Sequence, residues 1–379
     1  MRIAGVEPIA LTYPLDPPIP PSVARAETTA LDIYLLRVAT EDGACGWGEA
    51  WLKDEASFLR ASQMLGDLVI GRDVLDRALL WERMVQVSGS KLARETGPHA
   101  ERDFHAVLSG IDTALWDLAG KQLGVSVARL LGGVRSSRLD TYVTGLYLEP
   151  TDRLVKAAKR IVEQGFPALK MKLSGDADGD VRAVAAVRKM VTNQVVLMAD
   201  ANGAYGDYDT ALRVGNQLAR HDIYWIEEPF PAGRWEDYRR LAAALQPPLA
   251  GGETLYGVGQ FHDALKQQAM HVVMPDPRLC GGITAARTIG ELAALHEVRM
   301  SLHSWISPVA LMAAANVSAA MPYAERLELE GSGTGLMEAM LKTPPRFEDG
   351  FLLFEDTPGL GFEIADSFIE ECARPARQA

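Results

Sequence analysis

From about residue 142 onward the chain repeats one unit, a short apolar run that ends in a polar residue and is followed by a helix-like stretch. The apolar runs are Tyr142 to Thr144, Ala168 to Leu173, Val195 to Ala199, Ile223 to Ile226, Pro248 to Ala250, His271 to Met274, Val298 to Leu302 and Arg326 to Leu329. Asp152 to Gln164, Asp178 to Val191, Tyr208 to Arg220 and Thr284 to His296 carry helical character between them. Eight strands alternating with helices over about 190 residues predict an α/β fold, a (β/α)₈ barrel or a close variant.

The ends of these runs carry chemistry on a beat. Lys172, Asp200, Glu227, Glu253, Asp276 and His303 follow one another at intervals of 28, 27, 26, 23 and 27 residues. A solvated charge after one strand is ordinary. Six in succession, one per repeat, place six polar side chains at the mouth where barrel strands converge and where active sites form.

Two of the charges are alike and close together. In Leu169-Lys170-Met171-Lys172-Leu173, residues two apart share a strand face, so both ammonium groups project one way while the apolar residues pack the other. Either that face is solvated or anionic groups lie opposite. Asp200, Glu227 and Glu253, from three successive strands, supply such anions. Three clustered carboxylates repel one another unless a cation joins them. All-oxygen ligation without nearby Cys or His suits Mg²⁺, with Mn²⁺ as a substitute; the competing reading is a salt-bridge cluster with Lys170 and Lys172. Glu228, next to Glu227, points to the other side, and Asn202, two after Asp200, offers an amide to a substrate oxygen.

Asp276 and His303 end neighbouring strands, and a carboxylate beside an imidazole fixes its tautomer and raises its basicity. Across a metal from this pair, Lys172 is expected to have a lowered pKa and to act as a base. Together these groups suit one kind of chemistry, in which a cation binds a carboxylate, a base removes the α-proton, and the resulting charge is stabilised.

Ahead of the repeats, residues 1 to 130 read as a small mixed domain. Met1 to Glu7 looks like a first strand and not a signal peptide, Leu31 to Val38 like a strand, and Glu41-Asp42-Gly43 like a hairpin turn. Pro14 to Pro21 is too proline-rich for regular structure and is either an inert surface loop or a lid. Phe104, Val107, Leu108, Ile111, Leu115 and Leu118 predict one amphipathic helix from Asp103 to Gln122, stopped by Gly124, with a boundary at Leu130 to Gly133. Gly350 to Phe362 has strand and turn character and is expected to return to the first domain.

Composition narrows the setting. With 48% hydrophobic residues and a mean hydropathy of −0.01, the chain builds a large core and carries no apolar run of membrane-spanning length. A formal charge of −12 argues against nucleic acid as a partner. Cys45, Cys280 and Cys372 lie far apart, which argues for a reducing, cytoplasmic compartment. Gly331-x-Gly333-x-Gly335 lacks the context of a nucleotide loop and is set aside.

Several motifs taken together resemble the enolase superfamily and its mandelate racemase branch. They are Lys170-x-Lys172, Asp200-Ala-Asn202, Ile226-Glu227-Glu228-Pro229, Gly251-Gly252-Glu253, Met274-Pro275-Asp276 and His303. Ala114 to Leu118 with Gly120-Lys121, Leu130 to Gly133 and Pro358 to Gly361 complete the set. The resemblance implies a modified (β/α)₇β barrel (131–345) under an N-terminal α+β capping domain (1–130) completed by a C-terminal segment (346–379). It further implies that Asp200, Glu227 and Glu253 bind Mg²⁺, that Lys172 and the His303–Asp276 pair are the two acid/base groups, and that Lys170 helps hold the substrate carboxylate. A last-strand glutamate is expected to donate a hydrogen bond to that carboxylate; Glu325 and Glu328 compete for the place, and Glu328 is favoured. The segment from Pro14 to Glu27 becomes a lid, with Arg25 a substrate contact.

Asp276, where other branches place lysine, argues against muconate lactonization and dipeptide epimerization. The implied activity is acid-sugar dehydration, with 2-hydroxy acid racemization or lactone cycloisomerization on the same residues as the alternative. A non-catalytic metal-binding barrel is the reading from another class. The expected partners are a small-molecule carboxylate and, by resemblance, further copies of the chain in a homo-oligomer.

Overall fold

Three antiparallel strands open the chain: β1 (Ile3–Ile19), β2 (Thr28–Thr40) and β3 (Cys45–Ala50), in the order β1-β2-β3. The structure is a computed structural model and describes residues 1–88 and 99–374. Helices α1 (Glu55–Val69) and α3 (Ala100–Leu123) pack on this sheet, and α2 (Arg77–Ser88) packs against these two helices. The apolar stripe expected on α3 is buried throughout, and Gly124 ends the helix in the left-handed conformation at φ 68°.

Strand β3 lies unusually close to α3. A Cβ at Gly48 would sit 1.9 Å from the carbonyl oxygen of Gly110, and one at Gly46 would sit 2.1 Å from that of Ala114. Only glycine permits this backbone approach. The period of two then turns Glu49 to the opposite face, away from the helix and toward the rest of the molecule.

The proline-rich stretch differs from its expectation of irregular structure. Strand β1 continues through it, with Pro14 opposite Ala30 and Ile19 opposite Thr28 on either side of a register shift. β1 is the edge of its sheet, where a residue lacking an N–H can leave the outer side unpaired.

The barrel follows. β4 (Arg138–Leu146), β5 (Ala168–Lys172), β6 (Val196–Asp200), β7 (Ile223–Glu227), β8 (Leu249–Gly251), β9 (Val272–Val273) and β10 (Arg299–Met300) pair in parallel, each with the next. β11 (Leu327–Glu330) pairs in parallel with β4, and backbone bonds between Met300 and Tyr323–Glu325 close the ring. Helices α4 (Thr151–Glu163), α5 (Ala177–Val191), α6 (Tyr208–Leu218), α7 (Trp235–Ala244), α8 (Gly257–Lys266), α9 (Gly282–Leu295) and α10 (Pro308–Ala320) fill the seven crossovers. This is the (β/α)₇β form. Register places Lys172 opposite Asp200 and Asp200 opposite Glu227, at one level of the mouth. No helix among the described residues is long and apolar enough to cross a membrane.

The C-terminal stretch divides its contacts. Phe351–Leu353 pairs antiparallel with β4 of the barrel, not with the first domain as expected, and forms a hairpin with Arg346–Glu348. The return to the first domain comes later: Leu360 N–H donates to Asp117 of α3 at 2.8 Å, and Arg374 donates to Glu55 at 2.6 Å.

A second buried carboxylate joins α3 to the barrel. Asp112 accepts from Thr284 N–H at 2.9 Å and from Thr284 Oγ1 at 2.6 Å, at the start of α9. Burial pushes its pKa up to about 7, against the opposing pull of the Thr284 bonds. A folded-state pKa above the unfolded value favours the folded state at low pH. That contribution falls as pH rises from about 4 to about 7 and is level beyond it. Asp112→Asn removes the titration, so the stability of the variant relative to wild type should rise between pH 5 and pH 8. Urea unfolding at the two pH values checks this; a constant difference refutes it.

Candidate active site

Alternation along the strands decides which side chains enter the barrel. Ala168, Met198, Trp225, Tyr142, Ala250 and Val272 pack together as the interior layer, while Leu169, Met171 and Leu173 join the core beneath the helices. Lys170 and Lys172 share the Ala168 face, Asp200 that of Met198, and Glu227 that of Trp225. All four therefore stand inside the barrel, above the apolar layer.

The lysine pair is surrounded by acid. Lys170 is fully buried and donates to Glu227 Oε1 at 2.7 Å and to Glu328 Oε1 at 2.9 Å, with Asp200 Oδ2 at 3.5 Å. Lys172 pairs with Asp200. Asp200, Glu227 and Glu253 bring carboxylate oxygens within 4.8 Å of one another, all buried. Two ammonium groups thus meet four carboxylates, and full ionisation leaves an excess of two negative charges that a single divalent cation balances. Glu253 Oε2 is buried and makes no hydrogen bond among the described residues, with His303 Nε2 near it at 3.4 Å, as a ligand atom awaiting a cation would be. Hard oxygen donors, a charge deficit and an orphaned carboxylate oxygen fit Mg²⁺.

The titration of these groups follows from their neighbours. Burial and the charges of Asp200 and Glu253 push Glu227 well above the carboxylate range. For Asp200 burial acts in the same direction, but Lys172 and Lys170 outweigh it and hold the group down. Burial would lower Lys172, yet Asp200 outweighs it and raises the pKa. The lowered value expected from the sequence depends on an adjacent cation; the protein groups alone act the other way.

On the far side of the cluster, His303 Nδ1 bonds Asp276 Oδ2 at 2.6 Å, which leaves Nε2 facing Glu253 Oε2 at 3.4 Å and Glu328 Oε2 at 3.5 Å. Burial would lower the imidazole pKa, but Glu328, Glu253 and Asp276 together raise it. Asp276 is held down at about 2: burial opposes this, and Arg278 and His303 prevail.

Glu328 belongs to this cluster and Glu325 does not. Glu325 precedes β11 at the opposite end of the barrel, where it pairs with Arg299 at 2.5 Å and accepts from Tyr224. Glu328 accepts from Thr144 at 2.6 Å, and Lys170 outweighs burial in keeping it ionised. In this state it is an acceptor, so donation to a substrate carboxylate requires a proton it does not carry here. Asn202, at φ 45°, directs its amide at Glu253 Oε1, 3.5 Å away. Glu228 faces aside and accepts from Gly252 N–H at 3.1 Å.

Arg25 stands apart from the carboxylates. Its guanidinium lies 4.8 Å over Trp305 and 5.7 Å over Tyr147, and it donates to Thr28 and to the Pro20 carbonyl. Leu15, Ile19 and Tyr147 pack with Tyr13, Leu31, Trp305 and Ile306, which ties the proline-rich strand to the barrel mouth. A cavity of about 130 Å³ next to this cluster is lined by Ser304, Glu328 and Glu330, among others.

Sequence reasoning missed the surroundings of the dyad. Arg278 chelates Asp276, Glu49 meets Arg278, and Trp51 stacks on the His303 ring at 5.3 Å between centroids. Arg278, two residues after Asp276, was open to inference; Glu49 and Trp51 come from the other domain and carried no signal.

Comparison with known proteins agrees with this geometry. Residues 10–132 match the mandelate racemase / muconate lactonizing enzyme N-terminal domain, and residues 153–368 match the enolase C-terminal domain-like family. The chain is 31% identical to D-galactarolactone cycloisomerase of Agrobacterium fabrum over 387 aligned positions, covering 99% of this chain and all of that protein. It is 28% identical to arabinonate dehydratase of Saccharolobus solfataricus, covering 90% of each chain. Among solved structures, a racemase from Streptomyces coelicolor with bound magnesium superposes with a TM-score of 0.86 at 25% identity, covering 98% of this chain and all of that one. The chain therefore belongs to the mandelate racemase / muconate lactonizing enzyme family of the enolase superfamily.

Proposed function

We propose that this protein is a Mg²⁺-dependent acid-sugar dehydratase that begins by removing the proton α to a carboxylate. One observation carries the reading: Lys172 and His303 Nε2, from the second and seventh strands of the ring, converge on one cluster of buried carboxylates. Asp200, Glu227 and Glu253 would hold the cation, with Mn²⁺ as a substitute. When bound, it would hold the substrate carboxylate and offset the charge that enolisation places on its oxygens.

The remaining roles fall to this chain's own residues. Lys172 or His303 takes the α-proton. Lys170, which its acidic neighbours keep protonated despite burial, supplies a fixed positive charge beside the substrate carboxylate. His303 Nε2, with Asp276 anchoring Nδ1, gives a proton to the β-hydroxyl as its C–O bond breaks. Water leaves, and the enol tautomerises to a 2-keto acid. Asn202 and Glu328 position substrate oxygens, and Arg25, in the segment read as a lid, contacts the substrate. In this reading residues 1–130 cap the mouth, 131–345 form the catalytic barrel and 346–379 tie the two together. The likeness to a cycloisomerase favours a second reading, in which the same enolisation ends in ring opening or closure without loss of water. Cytoplasmic location and homo-oligomeric assembly belong to the same proposal, and light scattering tests the latter.

Incubating mono- and diacid sugars in D₂O, followed by NMR of the α-carbon, tests the central step. Exchange or 2-keto product should appear with Mg²⁺ and disappear with EDTA, with chiral analysis revealing racemization instead. Lys172→Ala and His303→Asn should each lower turnover by about 10²–10⁴-fold; full turnover in both would sink the mechanism.

The metal site has a test that needs no substrate. Mg²⁺ at about a hundred times its dissociation constant should stabilise the wild type by about 2.7 kcal/mol. Calorimetry should show that this gain is lost in Glu253→Gln, and an equal gain in both proteins would place the cation elsewhere.

A further inference from the structure

One buried pair of opposite charges has no part in the reaction as described. Glu49, on the face of β3 turned away from α3, meets Arg278 Nη1 at 3.3 Å, and both side chains are below 10% exposed. Arg278 in turn surrounds Asp276. Its Nη2 donates to Oδ2 at 2.6 Å, while its Nε at 3.0 Å and its backbone N–H at 2.7 Å donate to Oδ1. Asp276 Oδ2 is the oxygen that also holds His303 Nδ1.

The same short piece of the capping domain reaches the dyad by four further contacts. Glu49 Oε2 accepts from Ser307 Oγ at 2.5 Å, in the loop that follows His303. Trp51 N–H donates to the Arg278 carbonyl at 3.2 Å, and the Trp51 ring lies against His303 with an interplanar angle of 24°. Arg278 itself lies over the Trp51 ring at 5.2 Å. The imidazole is therefore fixed at Nδ1 by a carboxylate that cannot turn and on one face by an indole.

We propose that Glu49 and Arg278 form a positioning pair through which the capping domain orients His303. The inference rests on the reading in which His303 is one of the two proton-transfer groups. A tie between the domains is already made by Asp112 and Thr284, so a further buried ion pair is not needed for docking. What the pair adds is a charge balance. Arg278 competes with His303 for Asp276, and Glu49 takes up part of the guanidinium's pull. Without the Glu49 charge, Arg278 draws Asp276 harder and loosens its hold on Nδ1. With lysine in place of Arg278, the carboxylate loses its fork and turns more freely.

The test uses the full-length protein labelled with ¹⁵N-histidine. The Nδ1 proton signal of His303 is assigned by its loss in His303→Asn. Glu49→Gln and Arg278→Lys should each shift or broaden that signal while the other histidine signals and the melting temperature stay close to wild type. For any acid sugar the wild type turns over, kcat should fall about 10- to 100-fold with KM nearly unchanged. An unmoved His303 signal in both variants overturns the proposal. Should Arg278→Lys not fold, the near-isosteric Glu49→Gln decides alone. If no acid sugar is turned over but the signal moves, the functional reading fails and the positioning pair stands.

Discussion

One buried and one half-buried lysine among four buried carboxylates are the constraint on which the rest of this molecule depends. Neither set is stable alone, because like charges out of water repel and each ion carries a large desolvation cost. Interleaved, with Lys170 touching Glu227 and Glu328 and Lys172 touching Asp200, they neutralise one another in part. The imbalance that remains is an excess of negative charge of the kind a divalent cation would offset. The barrel exists in this form to hold that cluster: an apolar layer of Tyr142, Met198 and Trp225 forms the floor, and parallel register sets Lys172, Asp200 and Glu227 at one height.

The two domains divide the work of enclosing it. The barrel supplies every charged group of the central cluster, whereas the capping sheet supplies Glu49 and Trp51 beside the dyad and the proline-rich strand above the mouth. The glycines of β3 allow its backbone to press on α3, and that contact sets where Glu49 stands. A packing detail far in sequence from any barrel strand thus reaches the His303–Asp276 pair.

Much of the site was legible because barrel geometry converts a sequence rhythm into a spatial ring. Once one polar residue per repeat sits at a strand's C-terminal end, Lys172, Asp200, Glu227, Glu253, Asp276 and His303 meet at the mouth without further information. Interactions between repeats of different kinds were not legible. The choice between Glu325 and Glu328 depends on which end of β11 each occupies, and the strand character of Pro14–Ile19 depends on its edge position. Neither Arg278 nor its partner on β3 was read from the sequence, because their pairing joins segments 229 residues apart.

By itself the sequence determined the alternating elements, the side of each strand that carries charge and the oxygen-only character of the acidic cluster. Strand periodicity and residue chemistry are local properties, so they survive without a structure. Tertiary structure alone decided which oxygen each ammonium group touches, that Asp200 raises the Lys172 pKa, that Glu328 stays ionised beside Lys170, and that Glu49 closes the circuit behind His303. These depend on distances of a few ångströms between segments far apart in the chain, and Coulomb energies at such distances change with each ångström.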